Sequence, residues 1–336
     1  MKSLIKQISS HILDDMIRYE KCLENSTASN VKLINTIVKY ILNHKGKTFR
    51  PILCILSARL NGKPNEMTFL SAATVETLHV ATLLHDDVVD DAEIRRGWPT
   101  INKIWKNKLT ILIGDYMFSK SLKNISLLKN FESIEILSSI SERLSEGEIL
   151  QIENAINKNM SEEIYFKMIQ DKTASLLGAS CKLGFISNSN SDNKEHIQKF
   201  GEYLGIAYQL KDDLFDVLGK VDIIGKKSNL DLKKNMLTLP YIHMLNAVDA
   251  NNKKEIISKL KYHYNKKDLK NIKKLIDQQN GIEYTENKIT EYTQRFAASH
   301  RTADRTTDGT AVRTTVRTAD RTAIRTADRT TNRTNS

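Results

Sequence analysis

Residues 66–91 read EMTFLSAATVETLHVATLLHDDVVDD. Phe69, Ala72, Ala73, Glu76, His79, Val80, Leu83 and Leu84 recur at three- and four-residue spacing, the period of a helix. The stretch predicts one long apolar helix that runs into an acidic cluster. Outward from it the same pattern repeats from Ser3 to about Thr293. Lys47-Thr48-Phe49-Arg50-Pro51 reads as a helix entry, with proline near the first turn. Residues 61–65 and 188–193 are polar loops, and Gly97-Trp98-Pro99 ends another helical segment. Only 4 prolines and 13 glycines interrupt the 336 residues, and strand-type alternation is scarce. The expected fold class is all-α, a single helical domain over residues 1–300.

From Arg301 an Arg-Thr pair recurs every four residues, with Gly-Thr at the position of 309. Val312, Val316 and Ile324 are the tail's only large apolar residues. Such a segment buries too little surface to offset its ordering entropy, so residues 301–336 are expected to be disordered. The tail also carries part of the net charge of +11. The rest is spread out, without the aromatic-interleaved basic cluster that stacks on bases, so no nucleic-acid partner is expected. Cys22, Cys54 and Cys181 are too scattered for a disulfide framework or a zinc site. The opening residues lack an apolar stretch before a cleavage site, and no apolar run nears the roughly 18 residues of a membrane span. The expected location is cytoplasmic.

The acidic cluster at Asp86, Asp87 and Asp90 has a second copy at Asp212, Asp213 and Asp216, again at i, i+1 and i+4. On a helix the i and i+4 carboxylates share one face, about 6 Å apart along the axis. They repel one another, and their apolar flanks do not suit a solvated face. Divalent cations that neutralise them resolve the conflict. All-oxygen ligands favour a hard ion such as Mg2+, which completes its shell with water and substrate phosphate. A di-metal carboxylate bundle would need a Glu-x-x-His motif on each of two helices, a pair that the chain lacks.

Further motifs stand in order along the chain: Gly46-Lys47-Thr48-Phe49-Arg50-Pro51, Arg95-Arg96, Gly114-Asp115-Tyr116, Lys172-Thr173, Gly225-Lys226, and Asp231-Leu232 through Thr238-Leu239-Pro240. With the two acidic clusters, this series resembles the trans-prenyl diphosphate synthases (polyprenyl synthetases), over about Lys45 to Thr293. The resemblance implies an isoprenoid-synthase-type bundle of about a dozen helices with a deep central cavity, and a Mg2+-dependent prenyltransferase that condenses an allylic diphosphate with isopentenyl diphosphate, head to tail. It implies that the six aspartates face each other and bind the metal ions. Arg95, Lys172 and Lys226 would contact the allylic diphosphate. Lys47, Arg50, His79 and Arg96 would hold isopentenyl diphosphate. Thr173 and Gln209 would stabilise the allylic cation, and the released diphosphate would take the proton. Asp115 and Gln151 fit the family pattern with structural roles. A homodimer and a peripheral membrane contact for product release are further implications.

Departures from the family pattern are Lys45 in place of a glycine, Asn235-Met236 in place of Gly-Lys, and the Arg-Thr tail where a final helix is expected. By the same resemblance, residues one to two turns before Asp86 form the cavity floor. Ala81, Thr82 and Thr77 are small there, so a long product is expected, of about seven to ten isoprene units, feeding quinone side chains. Three alternatives are a terpene synthase or squalene-type coupling enzyme, which would not need the Lys47, Arg50 and His79 pocket, a non-catalytic subunit, which would have lost one acidic cluster, and a nucleic-acid or membrane binder driven by the basic tail.

Overall fold

The computed structural model describes residues 10–44, 46, 48–157, 161–188, 193–219, 236–262 and 266–304. Lys47, Lys226, Lys233, Lys234 and the tail from residue 305 lie outside the described residues. The helices run α1 Leu13–Thr27, α2 Lys32–Asn43, α3 Phe49–Leu60 and α4 Glu66–Val89. A hairpin follows, β1 Ile94–Arg95 and β2 Trp98–Pro99, and then α5 Ile101–Leu127 and α6 Phe131–Asn157. Next come α7 Glu162–Ile169, a π-helical turn Gln170–Ala174, α8 Ser175–Ile186 and α9 Lys194–Leu218. The last are α10 Leu239–Ala247, α11 Ala250–Tyr262, α12 Lys266–Gln278 and α13 Gly281–Asp304. The all-α expectation holds, with the short hairpin as its one addition among the described residues.

The chain divides into two compact units. The first comprises the described residues of Met1–Leu144 and Ser175–Glu202, with the end of α13. Its axis is α4, which packs on α1, α3, α5 and α8. Asn65 starts α4 with a capping box: its side chain accepts from the Met67 and Thr68 amides, and its own amide donates to Thr68 Oγ1. Such a cap contributes about 1 kcal/mol. Phe69, Ala72 and Ala73 then pack with Tyr19, Leu23 and Ile52, and Ala81 and Leu84 pack with Ile113 and Met117. A helix covered on all sides must be apolar all round. By length and composition α4 could therefore cross a membrane, but 72% of that stretch is buried inside the protein. Serine, threonine, glutamate and histidine interrupt the apolar residues there, so no unbroken apolar run is visible although the mean hydropathy of the stretch is 1.3. At Gly184 of α8, a Cβ would stand 2.0 Å from the Cys54 carbonyl oxygen. Only glycine lets α3 and α8 approach so closely.

The second unit comprises the described residues of Ser145–Ala174 and Tyr203–Phe296. Tyr165, Ile206, Leu210, Leu239 and Ile242 form one core, and Val217, Tyr241, Met244, Ile272 and Ile276 another. Helix α13 docks here: Tyr284 donates to Glu162 at 2.7 Å, and its ring stacks on His243 with centroids 4.1 Å apart. The α13 backbone is helical to Asp304, past Arg301 where the Arg-Thr repeat begins.

Candidate active site

In the first unit the acidic cluster sits where α4 stops. Asp91 adopts φ +47°, the left-handed conformation that aspartate tolerates better than most residues. This lets the Ala92 amide donate to the Asp87 carbonyl at 3.0 Å and the Asp91 amide donate to Val88 at 3.3 Å. The pattern is a Schellman cap. Asn102 Nδ2 donates to the Asp87 and Ala92 carbonyls, and Thr100 Oγ1 donates to Ala92, tying the cap to the start of α5. The Asp87 side chain turns inward, 4% exposed. It accepts from Arg95 Nε at 2.7 Å. Asp86 and Asp90 stay partly exposed. Helical geometry requires the split, since i+1 lies about 100° round the axis from the shared i, i+4 face.

Basic residues gather beside this cluster. Arg96 and Gly97 have φ of +55° and +85°. Two positive φ values make the type I′ turn that joins β1 to β2, and glycine fits its second position. A Cβ at Gly46 would lie 2.6 Å from Arg96 Cζ, so the Gly46 backbone seats the guanidinium. His79 is held well below its ordinary pKa of 6.5, first by burial and then by Arg50, Arg96 and Arg95 nearby. The ring is neutral at pH 7 and can donate at one nitrogen and accept at the other. The first unit thus brings together Arg50, His79, Arg95 and Arg96 of the sequence-predicted set. Thr77 and Ala81 are buried, and Thr82 is half-buried with its hydroxyl donating to the His79 carbonyl at 2.9 Å.

Asp115 has a role that the sequence did not specify: its carboxylate stands 3.2 Å from His85 Nε2. A Cβ at Gly114 would lie 2.3 Å from that same nitrogen, so Gly114-Asp115 shapes a seat for His85.

The second unit repeats the inward turn. Asp213 is 5% exposed. It accepts from the Tyr165 hydroxyl at 2.6 Å and from Gln209 Nε2 at 2.7 Å. Gln209 Oε1 in turn accepts from Thr173 Oγ1 at 3.0 Å. Asp212 and Asp216 stay partly exposed. Lys211, between Leu210 and Asp212, has its pKa lowered by burial, against a smaller raising effect from Glu286. Lys172 and Thr173 ride on the π-helical turn, where the widened helix re-aims both side chains. Gly147 of α6 packs against that turn, since a Cβ there would lie 3.0 Å from the Lys172 amide nitrogen. Lys172 Nζ pairs with Glu148 and donates to Gln151 Oε1 at 3.2 Å. Gln151 therefore supports Lys172.

Tyr165 was absent from the sequence-predicted site. Its only signal was that a buried tyrosine hydroxyl needs a partner. Among the described residues no three His, Cys, Asp or Glu side chains converge into a metal cage. The donor chemistry nonetheless suits Mg2+, which binds through one or two carboxylates and takes water and phosphate oxygens for the rest.

The sequence profile described as "Polyprenyl synthetase" matches residues 31–278. The octaprenyl diphosphate synthase of Escherichia coli K12 is 33% identical over 242 residues, 72% of this chain and 75% of that one. Heptaprenyl diphosphate synthase component 2 of Bacillus subtilis 168 is 34% identical over 255 residues, 75% of this chain and 73% of that one. The crystal structure of a decaprenyl diphosphate synthase from Rhodobacter capsulatus matches with TM-score 0.86 and 31% identity, covering 96% of this chain and 99% of that one. That of a Caulobacter crescentus CB15 polyprenyl synthase, complexed with calcium and isoprenyl diphosphate, matches with TM-score 0.84 and 27% identity over 95% and 97%.

Proposed function

The chain belongs to the polyprenyl synthetase family, and on that premise we propose that it is a long-chain, all-trans polyprenyl diphosphate synthase. It adds isopentenyl diphosphate repeatedly, head to tail, to an allylic diphosphate. The observation that carries the reading is the shared design of the acidic motifs. In both, the middle aspartate is buried and hydrogen-bonded, while the first and last stay partly exposed at helical i, i+4 spacing.

Asp86, Asp90, Asp212 and Asp216 are the oxygen donors for Mg2+, and Asp87 and Asp213 anchor them through Arg95, Tyr165 and Gln209. When bound, Mg2+ supplies the positive charge that neutralises the departing diphosphate. Arg50 and Arg96 grip isopentenyl diphosphate, since a guanidinium binds phosphate oxygens in a bidentate fork. Neutral His79 donates one hydrogen bond to that diphosphate without adding charge. Thr173 Oγ1 donates to Gln209 and so keeps oxygen lone pairs for the allylic cation. Relatives that make seven to ten isoprene units support a long product, as do the small side chains at Thr77, Ala81 and Thr82. A quinone side chain is its use, and a homodimer is the working form. The exposed Ile111, Leu112 and Leu122 on α5 support a second copy as their cover.

The test is product size. Ala81 is 1% exposed and packed near Ile113 and Met117. Ala81→Phe should shorten the product, read by reversed-phase chromatography after phosphatase treatment. An unchanged length would refute the floor assignment, and an absence of Mg2+-dependent elongation by the wild-type protein would refute the function.

A further inference from the structure

The hairpin that carries Arg95 and Arg96 is a pair of two-residue strands, Ile94 opposite Pro99 and Arg95 opposite Trp98. An isolated hairpin of this size does not hold its shape in water. Arg95 is tied to Asp87, but Arg96 lies beyond it, on the turn itself and exposed. Something else must fix the turn.

The end of α2 supplies it. Tyr40 donates its hydroxyl to the Pro99 carbonyl at 2.9 Å, across 59 residues of sequence. His44 caps α2, and its Nδ1 lies 2.7 Å from the Tyr40 carbonyl oxygen. A carbonyl only accepts, so Nδ1 carries the proton and the ring orientation is fixed. The His44 ring then lies between two aromatic rings, 4.4 Å from Tyr40 and 4.2 Å from Trp98, centroid to centroid. Tyr40 is braced in turn, edge-on, by Trp105 at 5.5 Å. Trp98 is 53% exposed, so burial in the core does not account for a tryptophan there. Two residues beyond His44, the Gly46 backbone meets the Arg96 guanidinium. One short stretch of chain therefore grips the hairpin twice, at Trp98-Pro99 by the rings and at Arg96 by the glycine.

We propose that Tyr40, His44 and Trp98 form an aromatic clasp that positions Arg96 for the diphosphate of isopentenyl diphosphate. The inference rests on the reading of Arg96 given above and deepens it. The three residues are positioning residues and touch no reacting atom. The clasp acts on one substrate only, because the groups assigned to the allylic diphosphate hang from other elements or, for Arg95, are held by Asp87.

The experiment is steady-state kinetics on full-length protein with Mg2+, farnesyl diphosphate and isopentenyl diphosphate, reading kcat and both KM values. Arg96→Ala is the reference and should raise KM for isopentenyl diphosphate. Trp98→Ala should raise the same KM about tenfold, from the loss of ring stacking and of the fixed turn, and leave KM for farnesyl diphosphate within about twofold. Trp98→Phe keeps a ring and should restore most of the loss. Tyr40→Phe, which deletes only the hydroxyl, should give about a fourfold rise. Trp98→Ala combined with Arg96→Ala should be no worse than Arg96→Ala alone, since the clasp works through that arginine. An equal rise in both KM values, a fall in kcat alone, or additive effects in the double variant would overturn the clasp. If Trp98→Ala fails to fold, Tyr40→Phe decides by the same split. Should Arg96→Ala leave KM for isopentenyl diphosphate unchanged, the assignment of Arg96 falls and the clasp's role with it. A rise for Arg96→Ala without one for Trp98→Ala removes the clasp alone.

Discussion

Replacing Tyr165 by phenylalanine deletes one oxygen and leaves the ring, so any cost comes from the hydrogen bond. That oxygen donates to Asp213 Oδ2 at 2.6 Å, with the tyrosine fully buried and the aspartate nearly so. A buried hydrogen bond to a charged group contributes about 1.5–3 kcal/mol, against about 1 kcal/mol for a neutral pair. Tyr165→Phe should therefore lower unfolding stability by about 2 kcal/mol, measured by urea titration with circular dichroism. Asp213→Asn weakens the same contact from the other side, so the double variant should fall short of additivity by roughly 1.5 kcal/mol. Asp212→Asn, at a partly exposed position, should cost less than about 1 kcal/mol while abolishing turnover. The contrast separates an anchor from a metal donor. If Tyr165→Phe lies within about 0.5 kcal/mol of wild type, or the cycle shows no coupling, the assignment of Asp213 as an anchor fails.

Three further outcomes follow from particular contacts. Gly184→Ala forces a Cβ to within 2.0 Å of the Cys54 carbonyl, which is backbone and yields only if a helix shifts. It should cost about 3 kcal/mol or prevent accumulation of folded protein, read by thermal midpoint and soluble yield. His79 stays neutral in the folded protein but takes up a proton in the unfolded chain below pH 6.5. The unfolded state then binds more protons, so stability is lost as pH falls through that value, by up to about 1.4 kcal/mol per pH unit for this group. His79→Asn should flatten that slope in urea titrations at pH 5.0–7.5. Burial pushes the Cys181 thiol up to about 12 and the Cys54 thiol higher, while Cys22 is only half-buried. With an aromatic disulfide reagent at pH 8, Cys22 should react first and the other two only after unfolding.

The sequence showed the helices because each buried face repeats at helical period, and α4 was legible nearly to its last residue. Its acidic end was legible as chemistry but not as a division of roles. The inward turn of Asp87 and Asp213 follows from the 100° step between neighbours, yet only the partners Arg95 and Tyr165 show which face is inside. The π-helical turn under Lys172 and Thr173 left no mark, because Gln170-Asp171-Lys172-Thr173-Ala174 is ordinary helical composition. Its support includes Gly147, on another helix. The hairpin was misread as the end of a helix. Gly97 had the residue type of a tight turn, but strands of two residues are too short for alternation to register. The clasp of Tyr40 and His44 on Trp98 and Pro99 passed unnoticed because its contacts to the hairpin span more than 50 residues. Lys47 and Lys226, assigned to the two diphosphates by resemblance, lie outside the described residues.

The most direct test incubates the purified chain alone, with no second polypeptide, with farnesyl diphosphate, radiolabelled isopentenyl diphosphate and Mg2+. The label should enter an acid-labile, butanol-extractable product of about seven to ten isoprene units, and chelation of the metal should stop it. Label that stays in the aqueous phase, or a product no longer than one added unit, would contradict the account.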